Sequence, residues 1–175
     1  MIKKDIRSLS LEDLRTFFLD KGFQAFRGNQ VYEWLWKKSL KDIDQMTNIS
    51  KDIRDILKSE FVINYIEIES VQKSSDGTVK NAIKLHDGLT VESVLIPTKT
   101  RMTACISSQV GCSLNCKFCA TARLKRMRNL NPDEIYDQVV TINSQCLEFH
   151  NKPLTNIVFM GMGEPLMNYN NVLKA

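Results

Sequence analysis

Long apolar runs are missing from this 175-residue sequence. The longest, Ile157 to Met160, is four residues, where a membrane-spanning helix needs about 20, so no such helix is expected. The opening residues, Met-Ile-Lys-Lys-Asp-Ile-Arg, carry charge with no apolar stretch behind it. That argues against a secretory leader and for a cytoplasmic protein. Histidine is scarce, His86 and His150 only, and neither is near the cysteine cluster Cys112–Cys119 in sequence. Repeats and low-complexity tracts are absent, and with 43% hydrophobic and 25% charged residues the composition is that of a folded globular protein. One absence is local: residues 101–132 contain no acid but six bases (Arg101, Lys117, Arg123, Lys125, Arg126, Arg128), a charge of +6 inside a chain whose net charge is +4.

The pattern along the chain predicts three parts. Residues 1–62 read as helices: Ser10 is placed to cap one from about Leu11, with Leu11, Leu14, Phe17 and Phe18 on one face and Gly22 at its end. A second runs from about Arg27 to Lys38, and a third starts at the cap Ser50. Residues 63–98 change to a period of two, giving a short antiparallel meander turned by Asp76-Gly77 and Asp87-Gly88. From residue 99, a strand at about Met102–Ser107 leads into a cysteine-rich loop, Asn131-Pro132-Asp133-Glu134 starts a helix reaching about Phe149, and Thr155–Met160 reads as a buried strand. Strand, loop, helix, strand and glycine turn are βαβ order. The expected fold is therefore α/β: a helical module, a short antiparallel meander and the start of a βαβ unit.

Five cysteines, an odd number with three inside eight positions, point to metal ligation rather than a disulfide framework in a reducing compartment. Cys112, Cys116 and Cys119 have the spacing C-x3-C-x2-C, which lets one tight loop present three thiolates to a [4Fe-4S] cluster and leaves the fourth iron without a protein ligand. S-adenosylmethionine can chelate that iron, and an electron from the cluster then cleaves its carbon-sulfur bond to a 5′-deoxyadenosyl radical. The competing reading, a zinc knot, wants four ligands, usually paired cysteines or histidines.

Gly161-Met162-Gly163-Glu164-Pro165 follows the last strand. A glycine turn there is common by itself. Its place at the carboxyl end of a strand beside the cysteine loop is where α/β folds hold ligands, so Gly163 and Glu164 are candidate cofactor contacts, Glu164 as acceptor for the methionyl ammonium. The plain alternative is a turn-capping acid.

Val110-Gly111-Cys112 through Cys119-Ala120-Thr121, taken with Phe159-Met160-Gly161-Met162-Gly163-Glu164-Pro165-Leu166, closely resembles the radical-SAM RNA methyltransferases of the RlmN type, which methylate C2 of an adenine in 23S rRNA and in certain tRNAs. The resemblance covers the whole chain and makes the helical module similar to that family's RNA-binding extension. It implies a methyl-cysteine intermediate, rRNA and tRNA as partners, a flavodoxin-type electron donor and a monomer. It also gives Cys105 the resolution of the enzyme-RNA crosslink and Glu92 the role of proton acceptor. Without it, both read as ordinary strand residues, and Cys146 reads as a core thiol. Lys125-Arg126-Met127-Arg128 is expected to hold RNA phosphates, or to offset the negative charge of the thiolates and cluster.

The resemblance makes residues 99–175 the first two βα units of a partial TIM-like radical-SAM barrel; the family's barrel has six strands, and its methyl-carrying cysteine lies in a C-terminal part. The chain is accordingly expected to be an N-terminal portion of the enzyme, without methyl transfer by itself. The alternatives are a cluster-bearing RNA-binding fragment that acts with a separate C-terminal half, and a non-functional remnant.

Overall fold

Two compact units, Met1–Asn64 and Tyr65–Ala175, make up the chain in a computed structural model that describes residues 3–114 and 116–175. No helix among them is long and apolar enough to cross a membrane.

The first unit begins with strand β1 (Lys4–Asp5) and packs helices α1 (Leu11–Asp20), α2 (Phe26–Trp36) and α3 (Lys51–Glu60) around Leu14, Phe18, Val31, Leu35, Ile53 and Leu57. Ser10 caps α1 as expected. Its hydroxyl accepts from the Asp13 N–H at 3.1 Å while the Asp13 carboxylate accepts from the Ser10 N–H at 2.9 Å, a reciprocal capping box. Ser50 precedes α3 but its side chain makes no capping bond. Strand β2 (Phe61–Val62) returns to pair in parallel with β1, a closure too short for periodicity to signal.

In the second unit, β3 (Glu67–Lys73), β4 (Val79–Lys84), β5 (Thr90–Pro97) and β6 (Met102–Cys105) form an antiparallel meander. After β6 come two short paired strands, β7 (Gln109–Val110) and β8 (Arg128–Asn129), then helix α4 (Pro132–His150) and strand β9 (Asn156–Val158), which joins β6 in parallel. The five-stranded order β3-β4-β5-β6-β9 thus carries the meander and the βαβ unit in one sheet. Asn131 and Glu134 form the capping box that starts α4, with Pro132 in the first turn. The chain ends in α5 (Tyr169–Lys174).

Alternation places Val79, Asn81, Ile83, Val91, Ser93, Leu95 and Ala104 on the face toward α4, where Ile135, Ile142 and Cys146 complete the core. Asn81 and Gln145, both buried, exchange two amide hydrogen bonds across this layer at 2.9 and 2.7 Å. Gln145→Leu leaves the Asn81 amide unpaired, so an increase in unfolding susceptibility of about 2 kcal/mol is expected in urea titrations, and the Asn81→Leu/Gln145→Leu pair should recover part of it. Thr155–Met160 departs from the sequence expectation of a buried strand. It pairs on one side only, through β9, and leaves Ile157 45% and Met160 80% exposed.

Candidate functional site

The cysteine loop is closed at its base. β7 pairs with β8, the Met127 N–H donates to the Val110 carbonyl at 2.8 Å, and Cys112 bridges to Lys125. Residues between them therefore leave and re-enter the fold at one point. Cys112, Cys116 and Cys119 all lie on this loop as free, half-buried thiols. The Leu114 N–H faces the Cys112 sulfur at 3.4 Å. Backbone N–H groups of Ala122 and Thr121, with the Thr121 hydroxyl, hold the Cys119 thiol below its ordinary value.

Among the described residues no three His, Cys, Asp or Glu side chains converge into a group that would hold a metal ion; Asn115, inside the motif, lies outside those residues. The loop carries the three thiols without drawing them to a point. The donor set still fits an iron–sulfur cluster: three unpaired thiols, with N–H groups aimed at two of the sulfurs, favour thiolates and tune such a centre.

Beside this loop lies the glycine turn, as its position after β9 leads one to expect. Both the Ser108 and Gln109 N–H groups donate to the Met162 carbonyl, at 2.9 and 3.2 Å. The Ser113 hydroxyl reaches the Met167 sulfur at 3.5 Å. Glu164 caps the short turn Pro165–Asn168, one carboxylate oxygen accepting from the Leu166 N–H at 3.1 Å. The capping reading is thus realised.

Glu92 and Cys105 fall on the sheet face opposite α4. Val94 is the register partner of Cys105, and Glu92, two residues along, shares its face at a diagonal spacing of roughly 7 Å. Glu92 is exposed and paired with Lys80 at 3.0 Å. Cys105 is buried at the carboxyl end of β6, between β5 and β9, and burial pushes its thiol up, so it is held in the protonated form at neutral pH. Cys146 sits in the core with its thiol raised by the same cause, the structural role expected for it.

The basic window divides. Arg123, Lys125 and Arg126 are exposed and line, with Cys112 and Ser113, an open cleft of ≈ 520 Å³. Arg128 does not join them, contrary to the expectation that it holds phosphates. Its guanidinium is engaged bidentately by the buried Glu134 at 2.7 Å and by Asp87 at 2.6 Å. Asp87 and Glu134 are 41 and six residues away, so the local charge pattern gave no sign of them.

Sequence reading also missed Ser107, Gln109 and Asn129. Ser107 donates to the Glu92 carbonyl at 2.5 Å and accepts from the Met162 N–H at 2.8 Å, joining β5 to the glycine turn. Ser107-Ser108-Gln109 is a polar run directly after a strand, and all three are buried. That run was the available signal.

Residues 4–63 match the ribosomal RNA large subunit methyltransferase N-terminal domain, and residues 106–175 match the radical SAM superfamily. A protein of Christiangramia forsetii named "Probable dual-specificity RNA methyltransferase RlmN" is 68% identical over 99% of this chain and 49% of its own length. The "Dual-specificity RNA methyltransferase RlmN" of Geotalea uraniireducens is 44% identical over 100% of the chain and 49% of its own length. The crystal structure of a radical SAM methyltransferase from Sphaerobacter thermophilus superposes with a TM-score of 0.83 at 33% identity, covering 98% of this chain and 50% of the other. The chain spans about half the length of the curated relatives it matches.

Proposed function

We propose, for a chain that belongs to the RlmN-type family of radical-SAM proteins, that the whole protein methylates C2 of adenine in 23S rRNA and tRNA. The observation that carries the reading is the closed loop of three free thiols, hydrogen-bonded side by side with the turn that bears Glu164. Cys112, Cys116 and Cys119 would hold a [4Fe-4S] cluster, and Gly163 and Glu164 would line the S-adenosylmethionine site. When bound, the cluster supplies the electron that cleaves S-adenosylmethionine to a radical able to act at an electron-poor ring carbon.

The remaining residues of this chain bind and move protons. Glu164 offers its free carboxylate oxygen to the methionyl ammonium. Arg123, Lys125 and Arg126 neutralise RNA phosphates at the mouth of the site, a contact that positions RNA without reading its sequence. Glu92 is the proton acceptor, and Cys105, on the same sheet face, resolves the crosslink to RNA by proton removal and disulfide formation: its sulfur bonds to that of the methyl-carrying cysteine in the C-terminal part as that cysteine's bond to the RNA-bound carbon breaks and the carbon takes up a proton. A flavodoxin-type donor supplies the electrons.

The test uses the whole protein, reconstituted anaerobically with iron and sulfide, reduced, and given S-adenosylmethionine with undermodified 23S rRNA or tRNA. The expected product is 2-methyladenosine, read by mass spectrometry of digested RNA. Cys112→Ala, Cys116→Ala and Cys119→Ala are each expected to abolish both product and cluster absorption. Methylation at another adenine position, or full activity in any of the three variants, would overturn the assignment.

A further inference from the structure

Gln109 lies three residues before Cys112, is fully buried, and bridges two segments distant in sequence. Its Oε1 accepts from the Glu164 N–H at 2.9 Å, and its Nε2 donates to the Asn129 Oδ1 at 2.7 Å. A backbone N–H can only donate, so the amide oxygen must face the glycine turn and the NH2 must face Asn129. The same logic fixes Asn129. Its Oδ1 receives both Gln109 and the Arg126 guanidinium, the latter at 3.0 Å, and its Nδ2 donates to the Met167 carbonyl at 3.2 Å. Neither amide can turn over without setting donor against donor.

The backbone holds the same register. Gln109 N–H donates to the Met162 carbonyl. At Gly163, φ is +93° and a Cβ would fall 2.5 Å from the Gln109 Cβ and 2.7 Å from its nitrogen. Side chain and turn are in van der Waals contact on one side and hydrogen-bonded on the other.

We propose that Gln109 is a positioning residue: it sets where Glu164 stands relative to the cysteine loop and, through Asn129, ties that turn to Arg126 on the cationic cleft. The inference rests on the reading that S-adenosylmethionine binds beside Gly163 and Glu164.

Three variants separate its parts. Gln109→Met keeps length and removes both bonds. Gln109→Glu keeps the acceptor for the Glu164 N–H but sets an acceptor against Asn129. Asn129→Asp keeps the acceptor for Gln109 and Arg126 and loses the donor to Met167. Each is made in the whole reconstituted protein. The measurements are iron per chain, the EPR spectrum of the reduced cluster without and with S-adenosylmethionine, and the S-adenosylmethionine dissociation constant by equilibrium dialysis.

Iron content and the cofactor-free spectrum are expected to match the parent. The dissociation constant should rise about tenfold in both Gln109 variants, the equivalent of one hydrogen bond, with a smaller rise in Asn129→Asp. The spectral change on adding S-adenosylmethionine should shrink in the same order. Variants that bind S-adenosylmethionine as the parent does would overturn the inference, as would a loss of iron in all three that accounts for the weaker binding. A parent that takes up iron but binds no S-adenosylmethionine would overturn the proposed function itself.

Discussion

Gly111→Ala is expected to lower the stability of the second unit by about 3 kcal/mol and to cut iron uptake by the cysteine loop in proportion. Two costs combine. The backbone at Gly111 has φ +72°, where a side chain costs roughly 1–2 kcal/mol. The added Cβ would also fall on the Lys125 carbonyl oxygen, 2.8 Å from its carbon and 3.0 Å from the Arg126 Cα. All three are main-chain atoms of the returning limb of the loop, so no rotamer change relieves the contact, and forced overpacking typically adds about 1–3 kcal/mol. The limb must move, and with it the Cys112–Lys125 bridge that closes the loop. Gly22→Ala is the matched control: φ is +79° there, with nothing within 4 Å of the new atom, so only the conformational cost of roughly 1–2 kcal/mol applies. Urea unfolding followed by tryptophan-independent circular dichroism, with iron assayed after reconstitution, reads both effects. A Gly111→Ala protein as stable as the Gly22→Ala control would show that the two limbs are not in fixed contact.

The same contrast between local and distant causes explains what the sequence disclosed. The capped starts of α1 and α4 were legible because Ser10 and Asp13, or Asn131 and Glu134, sit three residues apart and settle the matter between themselves. The meander was legible from period two and its Asp-Gly turns. The three cysteines announced their loop because one short segment must supply all of them. Pairings closed over long loops left no such trace: β1 with β2 across 57 residues, Asn81 with Gln145 across 64, and Gln109 with Glu164 across 55. Glu92 and Cys105 were ordinary strand residues until register set them on one face. The roles proposed for them come from family resemblance, not from spacing.

Arg128 shows how register also removes a candidate, and its replacement carries the second large effect. Arg128→Met is expected to destabilise the second unit by about 3 kcal/mol at neutral pH, because removing one member of a buried ion pair leaves the other charged and unpaired. Glu134 is the member left behind, its side chain 2% exposed, while Arg128 is 26% exposed, which puts the expectation at the lower end of the range for such pairs. His86, 3.4 Å from Glu134, does not replace a bidentate guanidinium. The parent should lose the Asp87 part of this network in acid. Burial alone would push the Asp87 carboxyl up, but hydrogen bonds from Arg128 and the Leu89 N–H more than offset it and hold the group below its ordinary value. Asp87 therefore adds stability above the ordinary carboxylate range, and that part disappears as pH falls through its folded value. In Arg128→Met this acid-side loss should be smaller. Binding separates Arg128 from its neighbours. Arg126→Met, Lys125→Met and Arg123→Met remove exposed cleft cations, and each is expected to leave urea midpoints unchanged while lowering the slope of log affinity for RNA against log salt by about 0.7–0.9. Arg128→Met, measured where the protein remains folded, should leave that slope intact. A drop in slope equal to that of Arg126→Met would return Arg128 to the RNA-binding set and show that Asp87 and Glu134 release it when RNA arrives.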